Sequence, residues 1–79
     1  MHEELLKIIN EIREDKGELC VKEINPEMSL RNDLGFDSMD LATFTARVDE
    51  EFGVDIFETG IVDLLGEVVD KLKLWNIFG

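Results

Sequence analysis

The chain contains no tyrosine, and in 79 residues it has one proline, one cysteine, one histidine and one tryptophan. Each shortage excludes something. With Pro26 as the only proline, a many-turned β fold is disfavoured and helices are favoured. A single Cys20 rules out an intramolecular disulfide and any cysteine-based metal site. It reads as a small buried hydrophobe. The single histidine, His2, sits at a terminus where chains fray, so no imidazole is firmly placed for acid–base work. No run of 18 apolar residues and no signal-peptide pattern occur. The expectation is a cytoplasmic protein that does not insert into membranes. Positive charge is scarce as well: 8 basic residues face 19 acids, for a net charge of −11.

What is present fits one small domain over residues 1–79. Apolar residues make up 44% and charged residues 34%, the balance of a folded chain rather than a disordered tail. A chain this short buries only about 60% of its unfolded surface, so its core must be efficient. The negative charge is lopsided. Residues 33–70 carry eleven acids against Arg47 alone, whereas residues 1–32 carry eight acids and five bases. Such a field keeps a chain soluble. It also repels nucleic acid and anionic membrane and draws basic partners to the second half.

Helical periodicity appears three times. Leu5, Ile8, Ile9 and Ile12 repeat at helical spacing between acids at the start and Lys16 at the end, and Gly17 is a natural stop. Leu41, Phe44, Thr45, Val48 and Phe52 fall on one face of a second helix, which Gly53 ends. Met39, Thr43, Ala46 and Glu50 lie on the opposite line, a mixed face that suits a docking partner and also suits an ordinary solvated surface. Leu65, Val68, Val69 and Leu72 mark a last helix, weakened by Gly66 by up to about 1 kcal/mol relative to alanine. A short helix is expected near Thr59 to Leu64, and the apolar tail "LWNIFG" is expected to pack back on the bundle. Residues 18–36 read as a long connection around Pro26, with Val21, Ile24, Leu30 and Leu34 available to pin it.

The chemistry concentrates in "LGFDSMDL", residues 34–41. Three readings of Ser38 compete there. It is a good helix N-cap, but Asp37 is equally good, and Asp37 with Asp40 approximates a capping box. If Asp37 caps, the Ser38 hydroxyl is free to point outward. As a nucleophile Ser38 lacks a base: His2 is remote, no lysine lies within ten residues, and the flanking aspartates oppose an alkoxide. A calcium loop starting at Asp33 fails, because Ser38 stands where glycine is needed and Phe44 where an acid is needed. The third reading is modification: a phosphodiester on Ser38 would lie at a helix N-terminus, where free N–H groups favour an anion.

These residues resemble a family. "DLGFDSMDL" is similar to the D-L-G-x-D-S-L-D core of acyl carrier proteins and thiolation domains. The likeness extends to the size, the acidity, "INPEMSL" in the long loop, "VDEEFGVDI" at the end of the second helix and the final amphipathic helix. The resemblance implies an all-α fold: a small right-handed bundle of three main helices and one short helix, with a long loop between the first two. It implies covalent 4′-phosphopantetheine on Ser38, added from coenzyme A by a phosphopantetheinyl transferase that holds the magnesium. The chain itself would be no enzyme. It would act as a monomer, carrying acyl groups as thioesters to enzymes of fatty-acid, polyketide or specialised lipid synthesis with basic docking patches. Asp37 and Asp40 match the acids that flank the family serine, Met39 stands at the leucine position that often touches partners, and Asp49 and Glu50 match acids toward the end of the second helix; with Ala46, on the line of Met39 and Glu50, these are the residues expected to meet partners. Thr43 in place of a common glutamate, Arg47 on a helix usually free of cations, and a segment between Ile56 and Leu65 shorter by about two residues depart from the fatty-acid type. The alternative is a small acidic interaction module without a prosthetic group.

Overall fold

The computed structural model describes the backbone of residues 2–56 and 62–78 and the side chains of 3–56 and 62–72. Among these residues it has three helices and no strand: α1 (His2–Asp15), α2 (Ser38–Phe52) and α3 (Leu65–Phe78). The architecture is all-α, as the sequence implies. The expected short helix falls largely on residues 57–61, outside the described residues. Its last part, 62–64, is described and is not helical: Leu64 is extended and bridges to Ser29 in antiparallel sense. The tail's side chains also lie outside the described residues.

α1 ends where Gly17 takes a left-handed φ of 80°. The Gly17 N–H donates to the Glu14 carbonyl at 3.0 Å and the Glu18 N–H to the Arg13 carbonyl at 2.8 Å, so the last carbonyls of α1 are satisfied by a Schellman turn. The expected apolar stripe of α1 is wholly inside: Leu5, Ile8, Ile9 and Ile12 are all buried. From α2, Leu41, Phe44 and Val48 are buried, and Phe52 packs partly exposed against them. Leu65, Val68 and Leu72 of α3 complete one continuous core with Ile56 and Val62. Phe36 enters it too, its ring centroid 5.8 Å from that of Phe44 at a 53° tilt. Such tilted aromatic pairs add about 0.5–1.5 kcal/mol beyond area burial.

The long connection between α1 and α2 is ordered by side chains that serve as backbone partners. Ile24, Leu30 and Leu34 are buried and Val21 is partly so, the four residues expected to pin it. Asn10 on α1 pairs with Val21 through both amide atoms, accepting from its N–H at 2.8 Å and donating to its carbonyl at 3.0 Å. Arg13 donates to the carbonyls of Leu19 at 2.8 Å and Leu34 at 2.6 Å. These bonds replace the ladder that a loop lacks, and they bring the far end of the connection back to α1.

Cys20 corrects the sequence reading. It is exposed, and its thiol donates to Glu14 Oε1 at 2.8 Å. The cause is a contact with α1: with the Val21 backbone held on Asn10 and Val21 partly packed against the core, its neighbour faces solvent. The hydrogen bond to Glu14 pushes the thiol pKa up, with burial and the carboxylate's charge acting in the same direction. A thiol held protonated in this way is a poor nucleophile.

The connection is also fastened to the start of α3. Buried Ser29 donates its hydroxyl to Asp63, with Oδ1 at 2.8 Å and Oδ2 at 3.0 Å, and accepts from the Asn32 N–H at 3.0 Å. Asp33 accepts from the Ser29 N–H at 2.6 Å. The N–H groups of Leu65 and Gly66, orphans at a helix start, donate to the carbonyls of Met28 and Pro26 at 2.9 Å each. Gly66 therefore has a positive role. A Cβ there would meet Pro26 Cβ at 3.0 Å and the Pro26 carbonyl oxygen at 3.1 Å, tighter than side chains ordinarily pack, so that Pro26 would have to move aside slightly.

Ser29→Ala removes a partner from the half-buried Asp63 and from the exposed Asn32 N–H, which costs about 0.5–1.5 kcal/mol, since water can take up part of the lost bonds. Urea unfolding should show a lower midpoint with an unchanged slope. A midpoint equal to that of the unsubstituted chain would mean that this latch does not hold α3.

Candidate functional site

The residues of "LGFDSMDL" fold into a sharp entry to α2. Gly35 takes φ 71°, left-handed backbone that a side chain would resist. The chain then turns Phe36 inward and extends through Asp37, whose φ of −92° and ψ of −174° suit an N-cap. The Asp37 carboxylate accepts from the Asp40 N–H at 2.9 Å, and the Asp40 carboxylate accepts from the Asp37 N–H at 3.0 Å. The capping box is complete, with aspartate in the place usually held by glutamate or glutamine. This removes one of the three readings of Ser38, that of the helix cap. The cap belongs to Asp37, and Ser38 is the first helical residue. Its side chain is exposed, and among the described residues no hydrogen bond engages its hydroxyl.

A residue that the sequence reading did not connect with the site completes it. Lys16 lies 24 positions before Asp40, yet its ammonium donates to Asp40 Oδ2 at 2.6 Å and to the Gly35 carbonyl at 2.7 Å. In sequence it reads only as a cation suited to the C-terminus of α1. No spacing rule links it to Ser38, because the link depends on how the long connection returns to α1. The hydrogen bond to Asp40 raises the Lys16 pKa against a smaller opposing effect of burial, so the amine stays protonated and is no general base. For Asp40, partial burial pushes the pKa up. The Lys16 hydrogen bond, the Asp37 N–H and the ammonium charge outweigh it, and the carboxyl lies below its ordinary value.

Asp37, Met39, Ala46, Asp49 and Glu50 are all exposed, and Met39 keeps 79% of its surface open to solvent. Asp40 differs: it is partly covered and engaged on both sides by the cap and by Lys16. Ala46 and Asp49 line an open, mainly apolar groove of about 470 Å³ with Leu41, Ala42, Thr45 and Asp55. Glu50 lines the other side, a polar crevice between α1 and α2 where Arg47 pairs with Glu11. The unexpected cation on α2 is thus a strut to α1. Phe44 lines neither hollow and is fully buried. No group of three or more His, Cys, Asp or Glu that could hold a metal occurs among the described residues. No helix among them is long and apolar enough to cross a membrane.

The Lys16–Asp40 contact has a definite pH signature. A carboxyl whose folded pKa is depressed contributes stability above its unfolded value, about 3.9, and loses it as pH falls through the lower folded value. The stability gap between the unsubstituted chain and Asp40→Asn should therefore be full at pH 7 and close as pH falls below about 3.9. Urea midpoints from pH 7 to pH 2 test this, and a gap constant across that range would show that the ionised carboxylate does not matter.

The Ser38 hydroxyl is the open group of this site. It is exposed, it stands at a helix N-terminus, and the backbone does not need it. A family model described as a phosphopantetheine attachment site matches residues 4–70. The chain is similar to an acyl carrier protein of Syntrophus aciditrophicus, 34% identical over 79 residues that cover 98% of this chain and 94% of the relative. It is 41% identical over 54 residues to one of Rubrobacter xylanophilus, covering 68% and 67%, and 40% identical over 48 residues to one of Nitratidesulfovibrio vulgaris, covering 61% and 63%. No solved structure matches significantly. Fold, acidity, the serine at the mouth of α2 and these relatives converge, and the chain belongs to the acyl carrier protein family, whose members carry covalent 4′-phosphopantetheine.

Proposed function

We propose that residues 1–79 act as one carrier domain, that Ser38 is the attachment residue, and that the protein performs no bond-making chemistry of its own. The observation that carries this reading is the division of labour at α2: Asp37 caps the helix, and Ser38 is left exposed at the first helical position. Attachment forms a bond from Ser38 Oγ to the pantetheine-side phosphorus of coenzyme A. The phosphoanhydride bond breaks, and adenosine 3′,5′-bisphosphate leaves. The hydroxyl proton passes to a base on the transferase, since the nearby lysine is already protonated. The new phosphodiester lies where unpaired N–H groups and the helix dipole stabilise negative charge. Once bound, the arm supplies a thiol that holds acyl groups as thioesters.

The chain's own part is to present that arm and to be recognised. Met39, Thr43, Ala46 and Glu50 form an exposed line down α2 from the attachment point, and Asp37 and Asp49 flank it. A partner with a basic rim and an apolar centre complements this arrangement. The groove beside Ala46 and Asp49 adds apolar ground to it. Arg47 adds no net positive field to the docking face, because Glu11 neutralises it. The partners we propose are a phosphopantetheinyl transferase and acyl-loading and acyl-processing enzymes of fatty-acid, polyketide or specialised lipid synthesis.

Incubation with coenzyme A and a broad-specificity transferase should add the mass of one phosphopantetheinyl group, and Ser38→Ala should abolish the gain. Labelling of Ser38→Ala at the original rate would move the site elsewhere. No gain on the unsubstituted chain would leave an acidic docking module without an arm. In the same assay, Glu50→Lys and Asp49→Lys should lower kcat/KM roughly 2- to 10-fold at low ionic strength and less at high salt, as expected for electrostatic steering. Equal rates at low ionic strength would remove α2 from electrostatic recognition.

A further inference from the structure

The start of α2 already holds two carboxylates, Asp37 and Asp40, on either side of Ser38. A phosphodiester on Ser38 would be a third anion in the same turn. The helix dipole offsets about half a charge. Among the described residues, Lys16 brings a full positive charge to this turn. The guanidinium of Arg13 is held on the carbonyls of Leu19 and Leu34, and Arg47 is paired with Glu11 on the other side of α2. The Lys16 ammonium touches both residue 35 and residue 40, and so brackets Ser38. An ammonium has three N–H donors. Gly35 and Asp40 take two, at 2.7 and 2.6 Å. The third can go to a phosphoryl oxygen. The long stem is flexible and 28% of the side chain is exposed, so it can turn toward a new anion without breaking into the core.

We infer that Lys16 is a positioning residue for the prosthetic arm: its ammonium locks the Ser38 turn onto the end of α1 and serves as counter-ion to the phosphodiester placed on Ser38. The inference rests on the reading of Ser38 as the attachment site. Asp40 Oδ2 accepts from both Lys16 and the Asp37 N–H, so the ammonium and the capping box share one oxygen. A phosphate that draws on Lys16 also draws on the atom that closes the cap. The arm is thereby oriented at its root by a cation from another helix, and Asp40 gives up part of its counter-charge to partners when the arm is in place.

A thermodynamic cycle separates this role from simple fold support. Thermal midpoints are measured for the unsubstituted chain and for Lys16→Met, each with and without the arm added by transferase and coenzyme A. Any purely structural effect of Lys16 is present in both arm states and cancels. The change in midpoint on attachment should be more favourable in the unsubstituted chain by about 1–8 °C, the range an exposed ion pair gives in a domain of this size. Lys16→Arg should restore most of the difference, and high salt should reduce it. A variant-free readout accompanies the cycle: the Lys16 side-chain 15N resonance should move on attachment. An equal midpoint change in both backgrounds, or an unmoved Lys16 resonance, overturns the inference and leaves the attachment reading standing. Failure of the unsubstituted chain to gain the arm overturns both.

Discussion

The reciprocal bond between Asp37 and Asp40 is the constraint on which the site depends. A helix start leaves backbone N–H groups without partners, and something must accept from them. Had Ser38 been given that task, its oxygen would be turned into the helix end and engaged. Because a carboxylate one position earlier takes it, the serine becomes the first helical residue with its hydroxyl outside. The same arrangement makes Asp40 do double duty, since the oxygen that closes the cap also holds Lys16. Cap, serine orientation and local charge are therefore one arrangement.

That arrangement is held in space by the long connection. A segment without regular structure must still satisfy its buried backbone groups. Here Asn10, Arg13, Lys16 and Ser29 supply side-chain partners where a sheet would supply a neighbouring strand. Three of these four lie on or just after α1, so one helix gathers the loop from Leu19 to Gly35. Ser29 and its carboxylates carry the tie on to α3, and Lys71 of α3 donates to the Ile56 carbonyl beyond the end of α2 at 2.6 Å. The helices are joined through the loop as much as through their own faces.

The acidity divides in two. Asp33, Asp37, Asp40, Asp63 and Glu67 accept hydrogen bonds from backbone or side-chain groups of the chain itself. Asp49, Glu50, Glu51 and Asp70 face solvent. A bond from a neutral N–H leaves a carboxylate charged, and Asp33, Asp37 and Glu67 are exposed as well, so within these two groups it is the pairing of Asp40 with Lys16 that reduces the field a partner meets. Arg47 follows the same logic in reverse, since its pairing with Glu11 offsets a charge that composition alone places on α2.

The sequence by itself determined the helices, their buried faces, the stops at Gly17 and Gly53 and the position of the serine. All of these follow from signals a few residues apart: 3.6-residue periodicity, positive-φ glycines and a capping box. It also offered Asp37 as the cap, though only as one of two equal candidates. What the tertiary structure decided are contacts between residues far apart in the chain. Cys20 faces water because Asn10 holds the residue beside it, and Gly66 leaves room for Pro26, which lies 40 positions earlier in the chain and packs close against it. Lys16 reaches the Ser38 turn because Arg13 and the buried leucines fold the connection back on α1. Local pattern can announce none of these, since each depends on where a long loop is led.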